Sequence, residues 1–367
     1  MDSSCDSSLC AIVAGGLANR KEESVRNSTT IAVDLAKNVF QVAVSHHPGK
    51  VATTHRLSRK KFLPFFAERK PSLVLLEACG MAHHWGRELG QFGHQVLLLP
   101  PADVKPYVRR NKTDRADAKG LLEAHRNEEI HPVPVKSVTQ QTLTALHRLR
   151  SAWAGDRTAR INTVRGILRE FGLTLPVGAH HVVPGVWALI EDDGRAVPDP
   201  LRLALAEACL EIRELEQRIK AVECQLRTLA AGIPIVQRLM TIPGVGLLTA
   251  TALVASVGEV LRFPTSRKFA SFLGLTPKER SSGQKRRLGR ISKRGDVYLR
   301  TLLIHGARTV LVAAKRLKHP DRLRIWALKV QQHRGMNKAT VALANKMARI
   351  VWAVWRDGSE YRSQPVV

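Results

Sequence analysis

The segments Thr30-Ile-Ala-Val-Asp-Leu35 and Leu73-Val-Leu-Leu-Glu77 decide the fold. Each is a short apolar run with one carboxylate at or next to its C-terminal end. Runs of this kind read as strands buried on both faces. Between them, Phe40, Val42 and Val44 alternate with Gln41, Ala43 and Ser45, the period of a half-buried strand. Ala52 to Leu57 predicts a third strand, and Lys60 to Arg69 a helix with Phe62, Phe65 and Phe66 on one side. Downstream, Trp85, Leu89 and Phe92 mark a helix ending at Gly93, and Val96 to Leu99 a strand stopped by Pro100-Pro101. Three strands, then helix, strand, helix, strand and helix suit an antiparallel meander extended by parallel βαβ additions. That is the order of a ribonuclease-H-like sheet.

In such a sheet the first and fourth strands are adjacent and parallel, so Asp34 and Glu77 are expected side by side. A glutamate ending an apolar run is costly unless paired or metal-bound. Two neighbouring carboxylates repel, and a divalent cation relieves the repulsion. Asp114 and Asp117 follow in Asn-Lys-Thr-Asp-Arg-Ala-Asp, three apart and therefore on one helix face. Four carboxylates are enough for two Mg²⁺ ions, an arrangement that clamps both oxygens of a phosphoryl displacement. Taken singly, Asp34 also reads as a strand-end turn residue, Glu77 as half of a buried ion pair, and the aspartates as helix N-terminal charges. Around the last pair stand Lys105, Arg109, Arg110, Lys112 and Arg115, suited to holding phosphates.

The composition agrees. The chain has 367 residues with 58 Lys and Arg against 31 Asp and Glu, a net charge of +27. Small neutral substrates give no reason for that imbalance, whereas a polyanion offsets it. Five cysteines without a C-x-x-C support neither a disulfide framework nor a structural zinc site. An acidic, serine-rich start is unlike a secretory signal. The uncharged stretch Leu239 to Gly258 is interrupted by Pro243-Gly-Val-Gly246, which argues against a membrane span. Cytoplasmic, nucleoid-associated action is the expectation.

Further along, residues 1–29 read as a flexible tail, 30–130 as the acid-bearing α/β domain, 131–232 as a helical linker, and 233–367 as a helical C-terminal domain. Gln140 to Phe171 is mostly helical in pattern. Leu205, Ala208, Ile212, Leu215, Ile219, Val222, Leu226 and Leu229 form an a/d seam over 205–229. It suits a coiled coil, or one helix packed on its own domain. Asp321 to Trp355 reads as two more helices, with Trp326, Trp352 and Trp355 as core rather than base-stacking residues.

Two further motifs bear on chemistry. Ile242-Pro-Gly-Val-Gly246, between apolar helical segments, is like the hairpin of a helix-hairpin-helix unit, where Gly244 and Gly246 let backbone N–H groups approach a phosphate. A plain tight turn is the simpler alternative. From Lys278 to Arg300 there are nine Lys or Arg and two acids, with glycines at 283, 289 and 295 that interrupt a helix. This reads as a basic loop carrying Ser281 and Ser282, with Lys285, Arg286, Arg287, Arg290, Lys293 and Arg294 placed to bind phosphate. Its serines are either phosphate-binding or nucleophilic, since surrounding cations stabilise an alkoxide and the charge on an attacked phosphorus.

In this order, Asp34, Glu77, Asp114, Asp117, Pro-Gly-Val-Gly and Gly-Leu-Thr-Pro…Ser-Ser-Gly…Arg-Ile-Ser-Lys-Arg-Gly resemble the DEDD transposases of bacterial insertion sequences, the IS110 family in its broad sense. The resemblance spans about residues 30–355. It implies a RuvC-like N-terminal domain binding Mg²⁺ through the four acids, and a C-terminal transposase domain with a serine nucleophile. That serine directly precedes a glycine in the family, which matches Ser282. Also implied are a covalent phosphoserine link to DNA, guidance by a bridge RNA, and a homo-oligomer (dimer or tetramer) whose composite sites draw on different subunits. The alternatives are a metal-dependent Holliday-junction-resolvase-like endonuclease and a non-catalytic nucleic-acid-binding protein.

Overall fold

A computed structural model describes residues 29–47, 50–108, 114–192 and 197–363. The chain divides into two compact units, one ending at Ser137 and one beginning at Val138. The tail expected at 1–29 lies outside the described residues except for Thr29.

The first unit is a mixed sheet between helices. Its strands are β1 (Thr30–Leu35), β2 (Val39–Ser45), β3 (Thr53–Ser58), β4 (Leu73–Glu77) and β5 (Gln95–Leu99), and the spatial order is β3-β2-β1-β4-β5. β1 pairs antiparallel with β2 and parallel with β4, β2 pairs antiparallel with β3, and β4 pairs parallel with β5. The antiparallel meander and the parallel additions thus follow the reading from the sequence. Helices α1 (Arg59–Ala67) and α2 (Ala82–Gln91) cover one face of the sheet. On that face Phe40, Phe62, Phe66 and Trp85 form an aromatic cluster of tilted and edge-on pairs with centroids 4.4 to 5.3 Å apart. Each buried phenylalanine there is worth about 2–3 kcal/mol. After the short α3 (Pro101–Val104), α4 (Asp114–His125) covers the other face. Ala118, Leu121 and Leu122 of α4 pack on Ala32, Ala43 and Leu75. The small alanines let the helix approach the sheet closely.

The second unit is helical apart from one hairpin. Two 33-residue helices, α5 (Val138–Glu170) and α7 (Asp199–Ala231), lie side by side for about 50 Å. Between them in the chain runs α6 (Val182–Glu191), packed on one end of the pair. Arg150–Glu223, Arg157–Glu216 and Arg160–Glu211 are ion pairs at 2.7, 3.7 and 2.6 Å, so the two long helices are antiparallel. The a/d seam of α7 is buried: Leu205, Ile212, Leu215, Ile219, Val222 and Leu226 are nearly inaccessible. That seam packs within the chain, on Ile161 and Val164 of α5 at one end and on Leu143 at the other. Helices α8 (Pro234–Met240), α9 (Leu247–Val257), α10 (Ser266–Phe272), α11 (Val297–Ala314), α12 (Arg322–Arg334) and α13 (Met336–Asp357) share one large core. The uncharged stretch from Leu239 is split by the turn between α8 and α9, as its proline and glycines predict. One described helix, α11, is long and apolar enough to cross a membrane, but Leu299, Leu303, Ala307 and Leu311 on it belong to this core.

One correction concerns the basic loop. It is a β-hairpin, β6 (Pro277–Glu279) with β7 (Leu288–Ile291). Both strands are short and nearly all exposed, so no apolar alternation signalled them.

His147 on α5 ties three helices together. Its Nδ1 is 3.0 Å from the Tyr298 hydroxyl of α11 and its Nε2 is 2.9 Å from Thr251 Oγ1 of α9. Burial, with the charge of Arg150 adding to it, pulls its pKa down to about 4. The unfolded chain takes up this proton near pH 6.5 and the folded chain only near 4. Stability should therefore fall as pH drops through that window, by up to about 3 kcal/mol. Replacing it in His147→Gln should flatten the slope between pH 6.5 and 4, as read by melting temperature against pH.

Candidate active-site segments

The paired register of β1 and β4 ends at Val33↔Leu76, and the next step brings Asp34 beside Glu77. Alternation along the strands gives both acids the face of Ala32 and Leu75, the one covered by α4. Both are half-buried. Beyond Glu77 the chain turns through Cys79, whose Sγ donates to the Gly80 carbonyl. Burial first, then the charges of Glu77 and Asp34, push the Cys79 thiol up from its ordinary pKa. The two carboxylates therefore act on one small region of space.

Asp117 is half-buried on α4, next to Ala118 in the packed face. Asp114 begins the same helix, but its side chain, like that of Arg115, lies outside the described residues. Arg109, Arg110 and Lys112 also lie outside them. Among the described residues, no three metal-ligating side chains come together. Asp34 and Glu77 do form a two-carboxylate oxygen donor set, and Mg²⁺ is commonly held by one or two carboxylates with substrate phosphates completing the shell. The donor chemistry fits that ion.

The second segment is the β6–β7 hairpin. Ser281 is engaged: its hydroxyl donates to Glu279 Oε1 at 2.7 Å and accepts from the Arg287 N–H at 3.1 Å. That hydrogen bond, helped by Arg286 at 3.2 Å, holds the Glu279 carboxyl below its usual range. Ser282 begins the tip, bridged backbone to backbone with Lys285 across Gly283, whose φ is +55°. Its hydroxyl has no hydrogen-bond partner among the described residues, and the side chain is exposed. Lys285, Arg286, Arg287 and Arg290 on the hairpin are exposed, as are Lys293 and Arg294 just after it.

The foot of the hairpin is held by close backbone contact. At Gly274 (φ +69°) a Cβ would collide with the Arg294 carbonyl oxygen, and at Gly295 (φ +83°) with that of Phe272. Buried Arg300 donates to the carbonyls of Leu273 and Arg294 at 3.3 and 3.2 Å. Lys293, at φ +55°, donates its N–H to Gly274. The described non-glycine residues with positive φ are Met81, four residues beyond Glu77, and Lys293; each is a costly conformation kept beside a candidate site segment.

The turn between α8 and α9 separates its two glycines. Gly244 (φ +82°) lies between α11 and α13, where an added Cβ would come within 2.8 Å of the Gly306 oxygen of α11 and of Met347 Cε of α13. This packing explains Gly244 without a phosphate. Gly246 is exposed at the N-cap of α9, with open space around its Cα.

Sequence reasoning passed over two features. One is buried His147, whose partners come from distant segments. The other is the setting of Trp326, which is half-buried and has Lys346 Nζ 4.2 Å from its ring centroid. Trp352 is core as expected, donating to the Phe263 carbonyl at 3.0 Å.

Comparison with known proteins assigns the two units to one kind of protein. Residues 236–321 match the transposase IS116/IS110/IS902 family, and residues 31–172 the DEDD transposase family of IS110. A probable family 20 transposase of Pseudomonas aeruginosa is 42% identical over 340 residues, covering 92% of this chain and 99% of that one. The transposase for insertion sequence element IS1111A of Coxiella burnetii is 38% identical over 343 residues, 94% of each chain. That for element IS1328 of Yersinia enterocolitica is 35% identical, over 91% of this chain and 99% of that one.

Three glycines, Gly244 and Gly246 of the α8–α9 turn and Gly274 at the hairpin foot, make a direct test of these roles. Gly244→Ala and Gly274→Ala should each lose more than about 2 kcal/mol, because strain at positive φ adds to a collision. Gly246→Ala should cost about 1 kcal/mol or less, the difference between glycine and alanine at an N-cap. Melting temperatures of the full chain read all three.

Proposed function

The chain belongs to the IS116/IS110/IS902 family of insertion-sequence transposases, which cut and rejoin DNA, and from that premise we propose a serine-based mechanism assisted by carboxylate-bound metal. The observation that carries the reading is the β1–β4 register, which sets Asp34 beside Glu77 at the ends of two parallel strands. With the order β3-β2-β1-β4-β5, it supports a ribonuclease-H-like, RuvC-type domain. Asp34, Glu77 and the α4 aspartates, Asp117 and Asp114, would hold Mg²⁺. When bound, the ion supplies Lewis-acid stabilisation to phosphoryl oxygens.

The chain's own residues do the rest. Lys285, Arg286, Arg287, Arg290, Lys293 and Arg294 bind phosphates and offset the charge that grows on the attacked phosphorus. Ser282, whose hydroxyl has no hydrogen-bond partner among the described residues, is the nucleophile. Its hydroxyl loses a proton as Oγ bonds to phosphorus, the bond from phosphorus to one sugar oxygen breaks, and that oxygen is protonated. One phosphodiester replaces another, so the bond energy is kept for rejoining to a new strand. Ser281, bound to Glu279 and Arg287, shapes the hairpin. We read the α8–α9 turn as helix-hairpin-helix-like, with phosphate approaching at Gly246 and the α9 N-terminus.

Following the family resemblance, a bridge RNA would select the DNA partners, and a homo-oligomer would bring acids and serine from different subunits into one site. The seam of α7 is filled by α5 within the chain, so such an assembly would use other faces; Leu149, Leu203 and Leu210 are exposed on these helices. Five cysteines without a C-x-x-C suit a reducing, cytoplasmic setting.

The test is excision of a marked element in cells with its native flanking DNA, read as circular-junction product. Asp34→Ala, Glu77→Ala and Ser282→Ala should each lose product by about 100-fold or more while remaining folded, whereas Ser281→Ala should retain much of it. Persistent product in Ser282→Ala would overturn the covalent step and favour a metal-only, resolvase-like endonuclease. Full activity in both carboxylate variants would leave only nucleic-acid binding for the first unit.

A further inference from the structure

A groove of about 940 Å³ opens in the second unit between the foot of the β6–β7 hairpin and helix α13. Its floor is apolar, with Leu275, Ile291, Val341 and, at one end, Trp326. Its rim is cationic: Arg290, Lys338, Lys346 and Arg349. No carboxylate lines it, and among the described residues none of these four cations is in an ion pair. Burial, with Arg349 adding to it, holds the Lys346 ammonium below its ordinary pKa. Asn345 donates one amide N–H to the Leu275 carbonyl at 3.1 Å, which leaves its amide oxygen for another partner.

Four uncompensated cations around an apolar floor call for a ligand that is anionic on one side and flat and apolar on the other. An unpaired nucleotide strand has this pattern, with phosphates along one edge and exposed base faces along the other. A duplex does not, because its base faces are stacked inside, and the floor would stay uncovered. We propose that this groove holds a short single-stranded nucleic-acid segment, its bases on the apolar floor beside Trp326 and its phosphates on the cationic rim. The proposal rests on the reading of the chain as a transposase and adds the place where an unpaired strand is gripped. The position is apt for that role. Pro277, Arg290 and Ile291 form one wall, and Ser282 stands five residues beyond Pro277 on the same hairpin, at most about 18 Å of chain away. A strand lying in the groove would be anchored close to the proposed nucleophile.

The test uses the full chain with a fluorescein-labelled oligothymidylate and a blunt duplex of equal length, at one fixed ionic strength, read by anisotropy. The paired substitution Lys338→Ala with Lys346→Ala, and separately Val341→Trp to fill the floor, should weaken oligothymidylate binding about tenfold or more and change duplex binding less than about twofold. Oligothymidylate should quench part of the tryptophan emission of the parent protein, and Trp326→Phe should lose that part. The lysine pair guards against misfolding, since Lys338 is exposed and Lys346 only half-buried. If the folded lysine variant binds oligothymidylate like the parent protein, the groove is not the site. Parent protein that binds duplex but not oligothymidylate would overturn the groove and leave the transposase reading intact. Binding of neither would count against both.

Discussion

Parallel pairing between β1 and β4 is the constraint on which the first unit depends. These strands are far apart in sequence, and their contact forces the intervening β2, β3 and α1 to close around them. Register matters because side chains alternate between faces. A slip of one residue would send one acid to the face of Phe40 and Trp85 and leave its partner on the face of α4. The observed register gives Asp34 the face of Ala32 and Glu77 the face of Leu75. Both acids stand where the apolar core ends and are half-buried, so the strands above them pack without a buried charge. Core packing on Ile31, Val33, Val74 and Leu76 therefore does two things: it holds the sheet, and it fixes the spacing of two carboxylates that repel each other.

A different device operates in the second unit. The hairpin has little apolar surface of its own to hold it. Instead its foot is clamped: Gly274 and Gly295 admit backbone contacts that any side chain would block, and Arg300 reaches from α11 to two carbonyls at that junction. Beyond the clamp the tip is exposed and cationic. A rigid foot with an open, cationic tip suits a surface that must meet a large polyanion.

The sequence was most informative where local pattern and tertiary burial coincide. Continuous apolar runs marked β1, β4 and β5, and the 3,4 spacing from Leu205 to Leu229 marked the buried face of α7. Spacing alone left its partner open, because a/d seams suit a second chain and a second helix equally. The partner is α5, with Arg150, Arg157 and Arg160 matched to Glu223, Glu216 and Glu211. The hairpin was not legible, since Pro-Lys-Glu and Leu-Gly-Arg-Ile have no period. Glycine roles were only half legible. Gly244 and Gly246 look alike in sequence, yet one packs on Gly306, more than sixty residues away, and the other has open space where a side chain would stand. Asp34 and Glu77 could be paired from strand order, but the relation of Asp117 to them depends on how α4 crosses the sheet, which no local pattern encodes.

Charge placement explains why a net +27 is compatible with a packed fold. Three acids of α7, Glu211, Glu216 and Glu223, are spent on arginines of α5, and Asp321 is joined to Arg324 and caps α12. Few acids are left to face the hairpin and the groove beside it, where Glu279 answers only Arg286. Cations are thus neutralised where helices pack and left bare where the serine stands. In the first unit the contrast is of another kind: two acids adjoin at the ends of β1 and β4, where the apolar core stops.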